Sequence, residues 1–489
     1  MLIILLAVIV VASSCKKNLN EQLYSQIPAT NFPKTAGDLR ALCNGLYDLM
    51  DNNDFYGFTH FLLEDMESDQ AIPTGYQPGF TGARYEIEGL YVTTGNSEIL
   101  KWWQRSYVNI GRANNILSLA PGVPISDNLK APYIAEAKFI RALMYFQLTK
   151  FFGDVPLITK YIPITDSILA FKPSRTSQQQ VYQQIVNDLL DGELDLPSED
   201  QIPATYKGLP SNGAASALLA KVYLTRAYLP FAETADFQNA ALECQKVISN
   251  PNYALLPAFK DVFDVDKKNG KEHIFSIQFG ASPNITSTKV AFLAPPQIYG
   301  ARSFGSLQAE RTFYNSFAAD DTIRRNNTFF DKGVDLNGKK YNYVSTPTGL
   351  PFCGKWKDII TLTTSNDRTN YIVLRLADIL LMQSEALNRI NPFDPNKYAG
   401  IDSVRRRAGL QNLPFIDNVV DFETAISNER GWELAFEGQR RDDLIRLGRF
   451  VSTMIAAGKT NANDDYKYYP IPLIEIDLNP NLKPQNHGF

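Results

Sequence analysis

Two stretches of the chain carry enough acids and bases to suggest catalysis. The first holds Glu64, Asp65, Glu67 and Asp69; the second holds Glu429, Arg430, Glu433, Glu437, Arg440, Arg441, Asp442, Asp443 and Arg446. A glycosidase needs two carboxylates on opposite sides of a sugar, about 5 to 9.5 Å apart. Nothing in either spacing demands that geometry. On helices, acids and bases one turn apart neutralise each other, so the second stretch reads as salt bridges between the last two helices. The acidic cluster reads as a solvated face, with calcium binding or loop ordering as the alternative. His60, His273 and His487 are far apart and form no zinc or triad pattern. GxSxG, GxGxxG and P-loop motifs are missing from the sequence. No catalytic residue, metal site or cofactor is expected.

The residues suited to binding are aromatic. Sugars present flat patches of C–H groups that stack on Tyr, Trp or Phe, while Arg, Asn and Asp take the hydroxyls. Thr74 to Tyr91 mixes Tyr76, Phe80, Arg84, Tyr85 and Tyr91 with glycines and polar residues. Ile298 to Gly305 repeats the mixture with Tyr299, Arg302 and Phe304, and Trp356 is a third candidate. Trp102, Trp103 and Tyr107 recur at helical spacing and read as core.

Helical periodicity surrounds these loops. Helices are predicted over Thr35–Met50, Ile99–Leu119, Leu129–Phe152 (stopped by Gly153), a segment capped near Thr176 and Ser177 and ending near Leu194, Asn212–Tyr228 and Ala235–Ile248. They resume at Tyr371–Asn388, Asn396–Ala408, Phe422–Phe436, capped by Asp421 and ended by Gly438, and Asp442–Ala456. His273 to Phe279 alternates like a strand. Residues 51–97 and 250–370 read as irregular, and the tail from Asn461 as loop with Tyr468 to Pro472 as a plug. Small residues such as Ala137, Ala142, Ala217 and Ala220 would allow close helix approach, as in tetratricopeptide-like hairpins.

Met1 to Ser14 is uncharged and almost wholly apolar. As a helix it would span about 21 Å, short of the ~30 Å hydrocarbon core. It reads as an export signal. Ala12-Ser13-Ser14-Cys15 resembles a bacterial lipobox, which makes Cys15 the expected lipidation site, with residues 15–33 as a tether. The other cysteines, Cys43, Cys244 and Cys353, show no disulfide or metal spacing, and the first two read as buried thiols. A net charge of −4 and a pI near 5.6 exclude the basic footprint of a nucleic-acid binder.

Three segments carry a wider resemblance: Ala135–Leu157, Tyr371–Arg389 and Asn428–Leu447. With the lipobox, Asn44 to Tyr47 and Tyr469 to Pro472, they resemble the SusD/RagB family over nearly the whole mature chain. That resemblance implies a single all-α body over residues 34–489, built of tetratricopeptide-like helix pairs with irregular segments forming the ligand face. It also implies an outer-membrane lipid anchor facing the cell exterior. The implied partner is a TonB-dependent SusC-like barrel, fed with glycans or, as in the RagB branch, peptides; a surface scaffold is the remaining alternative. Lys16 and Lys17 follow the cysteine where exported members often carry acids.

Overall fold

The computed structural model describes residues 32–74, 82–163, 171–280, 287–295, 303–335, 337–345, 349–358 and 367–489. Its helices are α1 (Ala36–Met50), α2 (Gly82–Glu88), α3 (Ser97–Leu119), α4 (Asp127–Phe152), α5 (Gln178–Asp195), α6 (Asn212–Arg226) and α7 (Asp236–Ile248). After the short α8 (Lys289–Leu293) come α9 (Leu376–Ile390), α10 (Lys397–Arg407), α11 (Val419–Glu433) and α12 (Arg440–Arg446). Side chains of small polar residues start several of them by accepting backbone N–H groups. Thr35 and Asp38 form a capping box on α1, Asn96 caps α3, Ser177 caps α5 and Ser211 caps α6.

Consecutive helices pack against one another in the order α3, α4, α5, α6, α7; α9 then packs on α7 and carries α10 and α11. This is the tetratricopeptide-like arrangement expected. From Ala135 to Phe152, α4 is buried on nearly every side, as a helix must be when apolar all round. Arg141 stitches three helices together: its guanidinium forks onto Asp188 at 2.7 and 2.8 Å and donates to Asn114 at 2.8 Å.

Strands are few and short. β1 (Ala71–Pro73), β3 (Leu307–Ala309), β7 (Phe352–Cys353) and β4 (Phe329–Phe330) form one antiparallel sheet in that order. β2 (His273–Ile277) pairs with β8 (Tyr371–Arg375), and β5 (Lys332–Val334) with β6 (Lys340–Asn342). Tyr371–Arg375 was expected to begin a helix and is instead strand β8. All five of its residues are buried, and a short continuous apolar run has no period that separates strand from buried helix.

Other boundaries also differ from expectation. Asn418, not Asp421, caps α11, accepting from the N–H groups of Val420 and Asp421. That helix ends at Glu433, and Gly438 lies in the following link. The segment after it is two helices, α12 and Phe450–Ala456, parted at Gly448, whose φ of +67° is left-handed. The tail plugs the core through Tyr469, as expected, but also forms a short helix, Leu473–Leu478.

The largest correction concerns the acids. Residues 53–66 are not irregular: they wind into π-helical turns around one α-turn, buried from Phe55 onward. Glu64, Asp65, Glu67 and Asp69 are accordingly buried rather than solvated. Two of them, Glu67 and Asp69, meet bases of the second charged stretch, while Glu64 lies 3.5 Å from Lys150. Arg441 donates to Glu67 at 2.7 Å, Arg440 forks onto Asp69 at 2.7 and 2.8 Å, and Asp65 accepts the Gly438 N–H. The remaining bases and acids of that stretch mostly reach outward too: Arg430 to Asp378 and Asp443, Arg446 to Glu385 and Asp443. Among the described residues Arg430–Asp443 is the one salt bridge from α11 to α12, beside a hydrogen bond from Arg440 to Ser427 O, so the expected salt bridges between the last two helices are a minor part. The physical reason is burial: an unpaired charge in the interior is prohibitively costly, so a buried acid either meets a base or N–H group from elsewhere in the chain or is pushed toward its neutral form.

Burial and pairing pull the titrations apart. Burial alone would raise Glu433, but the guanidiniums of Arg407, Arg375 and Arg324 outweigh it and hold the carboxyl at about 2. Asp65 has a weaker set of donors, and burial pushes it up to about 8. Cys43, Cys244 and Cys353 are free and buried, as read for the first two.

Candidate functional site

The candidate face is organised by α8. Its flanks come from distant parts of the chain and are tied together by main-chain hydrogen bonds. Thr74 donates its N–H to Ser306 O at 3.0 Å and its hydroxyl to Gly305 O at 2.8 Å. Phe304 and Ser306 donate to Ala291 O and Phe292 O, at 2.6 and 2.8 Å. On the other side, Asp367 N donates to Ser287 O at 2.8 Å, while the Asp367 carboxylate accepts from Val290 N at 2.9 Å. The segments entering residues 75–81, leaving 296–302, leaving 281–286 and leaving 359–366 therefore meet at α8.

Several site residues expected from sequence can be placed. Arg84 lies on α2 with its side chain only 11% exposed, 3.3 Å from Glu98. Its guanidinium sits 5.1 Å over Phe58 and 5.0 Å over Phe292, two rings that stack at 4.2 Å. Such contacts hold a cation without freeing it for ligand, so Arg84 braces α2 against α8. Tyr85 is half-buried against the core. Phe304 is half-buried and leans on Phe292, 5.2 Å between centroids. Tyr76, Phe80, Tyr299 and Arg302 lie outside the described residues. Tyr91 is half exposed.

Trp356 was a third candidate for ligand contact and is core instead. It is buried, its indole N–H donates to Phe436 O at 3.2 Å, and Lys289 lies 3.4 Å over its ring. Burial lowers the Lys289 ammonium to about 8; the indole face partly replaces the water it lost. Trp102 and Trp103 are buried in the core as expected, and Tyr107 donates to Pro156 O.

Sequence reading missed a second aromatic platform. Tyr341 on β6 and Tyr343 just beyond its end lie side by side, their rings 7° from parallel and 6.0 Å apart. Tyr343 packs edge-on against Phe352 of β7 and so joins the hairpin to the β1-β3-β7-β4 sheet. The signal was present: Tyr-Asn-Tyr alternates with period two, and Asn337-Gly338 is a hairpin turn pair. Gly338 takes φ +81°, a conformation other residues resist. Asp335 closes the turn by accepting from Asn337 N and Lys339 N, both at 2.9 Å.

Among the described residues, no cluster of three or more His, Cys, Asp or Glu is arranged to hold a metal ion. The acids that might have formed one are each matched to a base or N–H group.

Comparison with known proteins agrees with this architecture. The SusD family model matches residues 307–489, and a model described as starch-binding, associating with outer membrane, matches 18–224. A SusD-like protein of Formosa agariphila is 30% identical, with 96% of each chain aligned. A SusD homologue of Bacteroides thetaiotaomicron superposes with a TM-score of 0.82 at 24% identity, over 94% of this chain and 98% of that one. A laminarin-binding SusD-like protein superposes with a TM-score of 0.77 at 27% identity, over 94% and 100%. The chain belongs to the SusD family.

Proposed function

We propose that the protein is a non-catalytic receptor that captures an oligosaccharide or polysaccharide and passes it to a TonB-dependent SusC-like barrel. The observation that carries the reading is the tie between Thr74 and Gly305/Ser306. It brings the ends of both aromatic-rich loops to one place, although 231 residues separate Thr74 from Gly305. Support comes from the relative named for laminarin binding and from the pairing of the buried carboxylates, which leaves them committed to structure. Tyr76, Phe80, Tyr299 and Arg302 are proposed to contact the sugar, with Tyr85 and Phe304 at its margin and Arg84 as the brace.

Ring stacking on nucleic-acid bases contributes roughly 1 to 3 kcal/mol per ring, and sugar stacking belongs at the low end because the sugar has no π face. Tyr76→Ala with Tyr299→Ala should weaken glycan binding about tenfold or more, one decade being about 1.4 kcal/mol. Calorimetry against a glycan panel and a peptide pool measures it, beside a melting curve that should barely move. Unchanged affinity would move the site elsewhere, and binding of the peptides alone would overturn the glycan reading.

The anchor is proposed to be lipid on Cys15. Several acyl chains at about 0.8 kcal/mol per buried CH₂ hold a protein at a membrane without a spanning helix. Cys15→Ala should release the protein from outer-membrane fractions and abolish palmitate labelling. Equal retention of the variant would sink the lipoprotein reading.

A further inference from the structure

We infer that Asp367 is a positioning residue of the ligand face: it holds α8, and through α8 the roots of both aromatic loops. The inference rests on the glycan reading above and deepens it. Asp367 is 1% exposed, so its carboxylate is out of a sugar's reach. Among the described residues it meets no base in a salt bridge and is held by hydrogen-bond donors instead.

The short helix needs that hold. With five residues, α8 is far below the length at which a helix sustains itself. Its first-turn N–H groups have no partners within the helix, and the Thr288 side chain at the cap position makes no capping bond. That hydroxyl is turned to Asn53 Oδ1, at 2.5 Å. Asp367 supplies the missing cap from 77 residues away, accepting the Val290 N–H at 2.9 Å, and its negative charge suits a helix start. The Ser287 hydroxyl lies 3.2 Å from the same carboxylate oxygen and 3.2 Å from Gly57 O. The other carboxylate oxygen accepts the Thr369 N–H at 3.0 Å and the Thr369 hydroxyl. Burial pushes the carboxyl up, while the Lys289 ammonium of α8 pulls it back.

From α8 the tie runs on without a break. Ala291 O and Phe292 O receive the N–H groups of Phe304 and Ser306, and Ser306 O receives that of Thr74. Tyr76 and Tyr299, proposed above to stack on the sugar, stand in sequence just outside these anchored residues. Asparagine cannot stand in for Asp367. Each carboxylate oxygen accepts a main-chain N–H, and a side-chain amide has only one oxygen. Whichever way that amide is turned, its NH₂ group faces the N–H of Thr369 or of Val290, and one anchor is lost.

The test compares the full chain in detergent with Asp367→Asn, first by hydrogen exchange without ligand. The amides of Val290, Phe304, Ser306 and Thr74 should exchange about tenfold faster or more in the variant, while those of α4 stay as they were. Calorimetry then follows binding of laminarin, a xyloglucan oligosaccharide and a maltooligosaccharide. For the glycan that the parent binds, affinity should fall about tenfold, as when the anchored arrangement is populated about a tenth of the time. Asp188→Asn separates lost position from lost stability: it breaks the Arg141 fork in the helix stack, and should lower the melting temperature without moving affinity. Should Asp367→Asn fail to fold, Ser287→Ala removes one donor to the carboxylate and should move exchange and affinity the same way by less. In whichever variant folds, unchanged exchange at those amides, exchange raised everywhere alike, or unmoved glycan affinity overturns the inference and leaves the glycan reading standing. A parent that binds peptides and none of the three glycans overturns both.

Discussion

Arg375→Ala should lower stability by about 3 kcal/mol, the lower end of what breaking a buried ion pair costs. The guanidinium is buried and reaches Glu272 at 2.9 Å, Glu433 at 2.7 Å and Glu437 at 2.7 Å. Removing it leaves three buried carboxylates with less countercharge. The loss stays near the lower end because Arg407 still serves Glu272 and Glu433, and Lys355 still serves Glu437 at 2.8 Å. The pH dependence supplies a second readout. Glu433 has a folded value of about 2, depressed from the roughly 4.3 of an unfolded chain. Its contribution is therefore present above pH ~4.3 and lost as pH falls toward 2. Without Arg375 the folded value rises, and acid unfolding should begin at higher pH. Denaturant titrations at neutral and acid pH measure both. A loss under about 1 kcal/mol, with an unmoved acid transition, would show that Arg375 is redundant.

Gly400→Ala should be destabilising by about 2 kcal/mol. A methyl group there would strike the Leu380 carbonyl oxygen and the Ser384 hydroxyl, the latter at 2.7 Å. Two effects oppose each other. Alanine favours a helix over glycine by about 1 kcal/mol, but overpacking a tight contact costs about 1–3 kcal/mol or more. The obstacle here is main chain, which cannot rotate aside, so α10 would have to move off α9 and break the Ile401 N–H bond to Ser384, 3.0 Å long. Thermal melting measures the outcome; a variant as stable as the parent would mean the helices separate freely.

Much of the helical body was legible because amphipathic periodicity and caps are local. α1, α3, α4, α6 and α7 begin and end within two residues of where their patterns start and stop. What failed was nonlocal. Glu64 to Asp69 looked solvated because nothing within a turn neutralises them; the bases that meet Glu67 and Asp69 lie some 370 residues away. Arg84 looked free for the same reason, since neither Phe292 nor its stacking on Phe58 is visible from Arg84's neighbours. Tyr341 and Tyr343 were overlooked inside a stretch dismissed as irregular, though the turn and alternation were there to read. The anchoring of the aromatic loops to each other could not be read at all: β1 and β3 are three residues each, too short for a pattern.

The tie between Tyr469 and the start of the body sets an order of events in time. Its hydroxyl donates to Leu63 O, 406 residues earlier, and its N–H to Phe151 O. Arg441 likewise closes on Glu67. Contacts this distant form slowly, since the closure entropy must be met before they contribute. Glu67, buried and acidic, has no base until the last tenth of the chain has been synthesised. The helix pairs can stack as they emerge, but the acidic face of residues 64–69 stays open until the C-terminus arrives. These contacts close only once Arg441 and Tyr469 have joined the chain, so the interior around Leu63 and Glu67 is completed late.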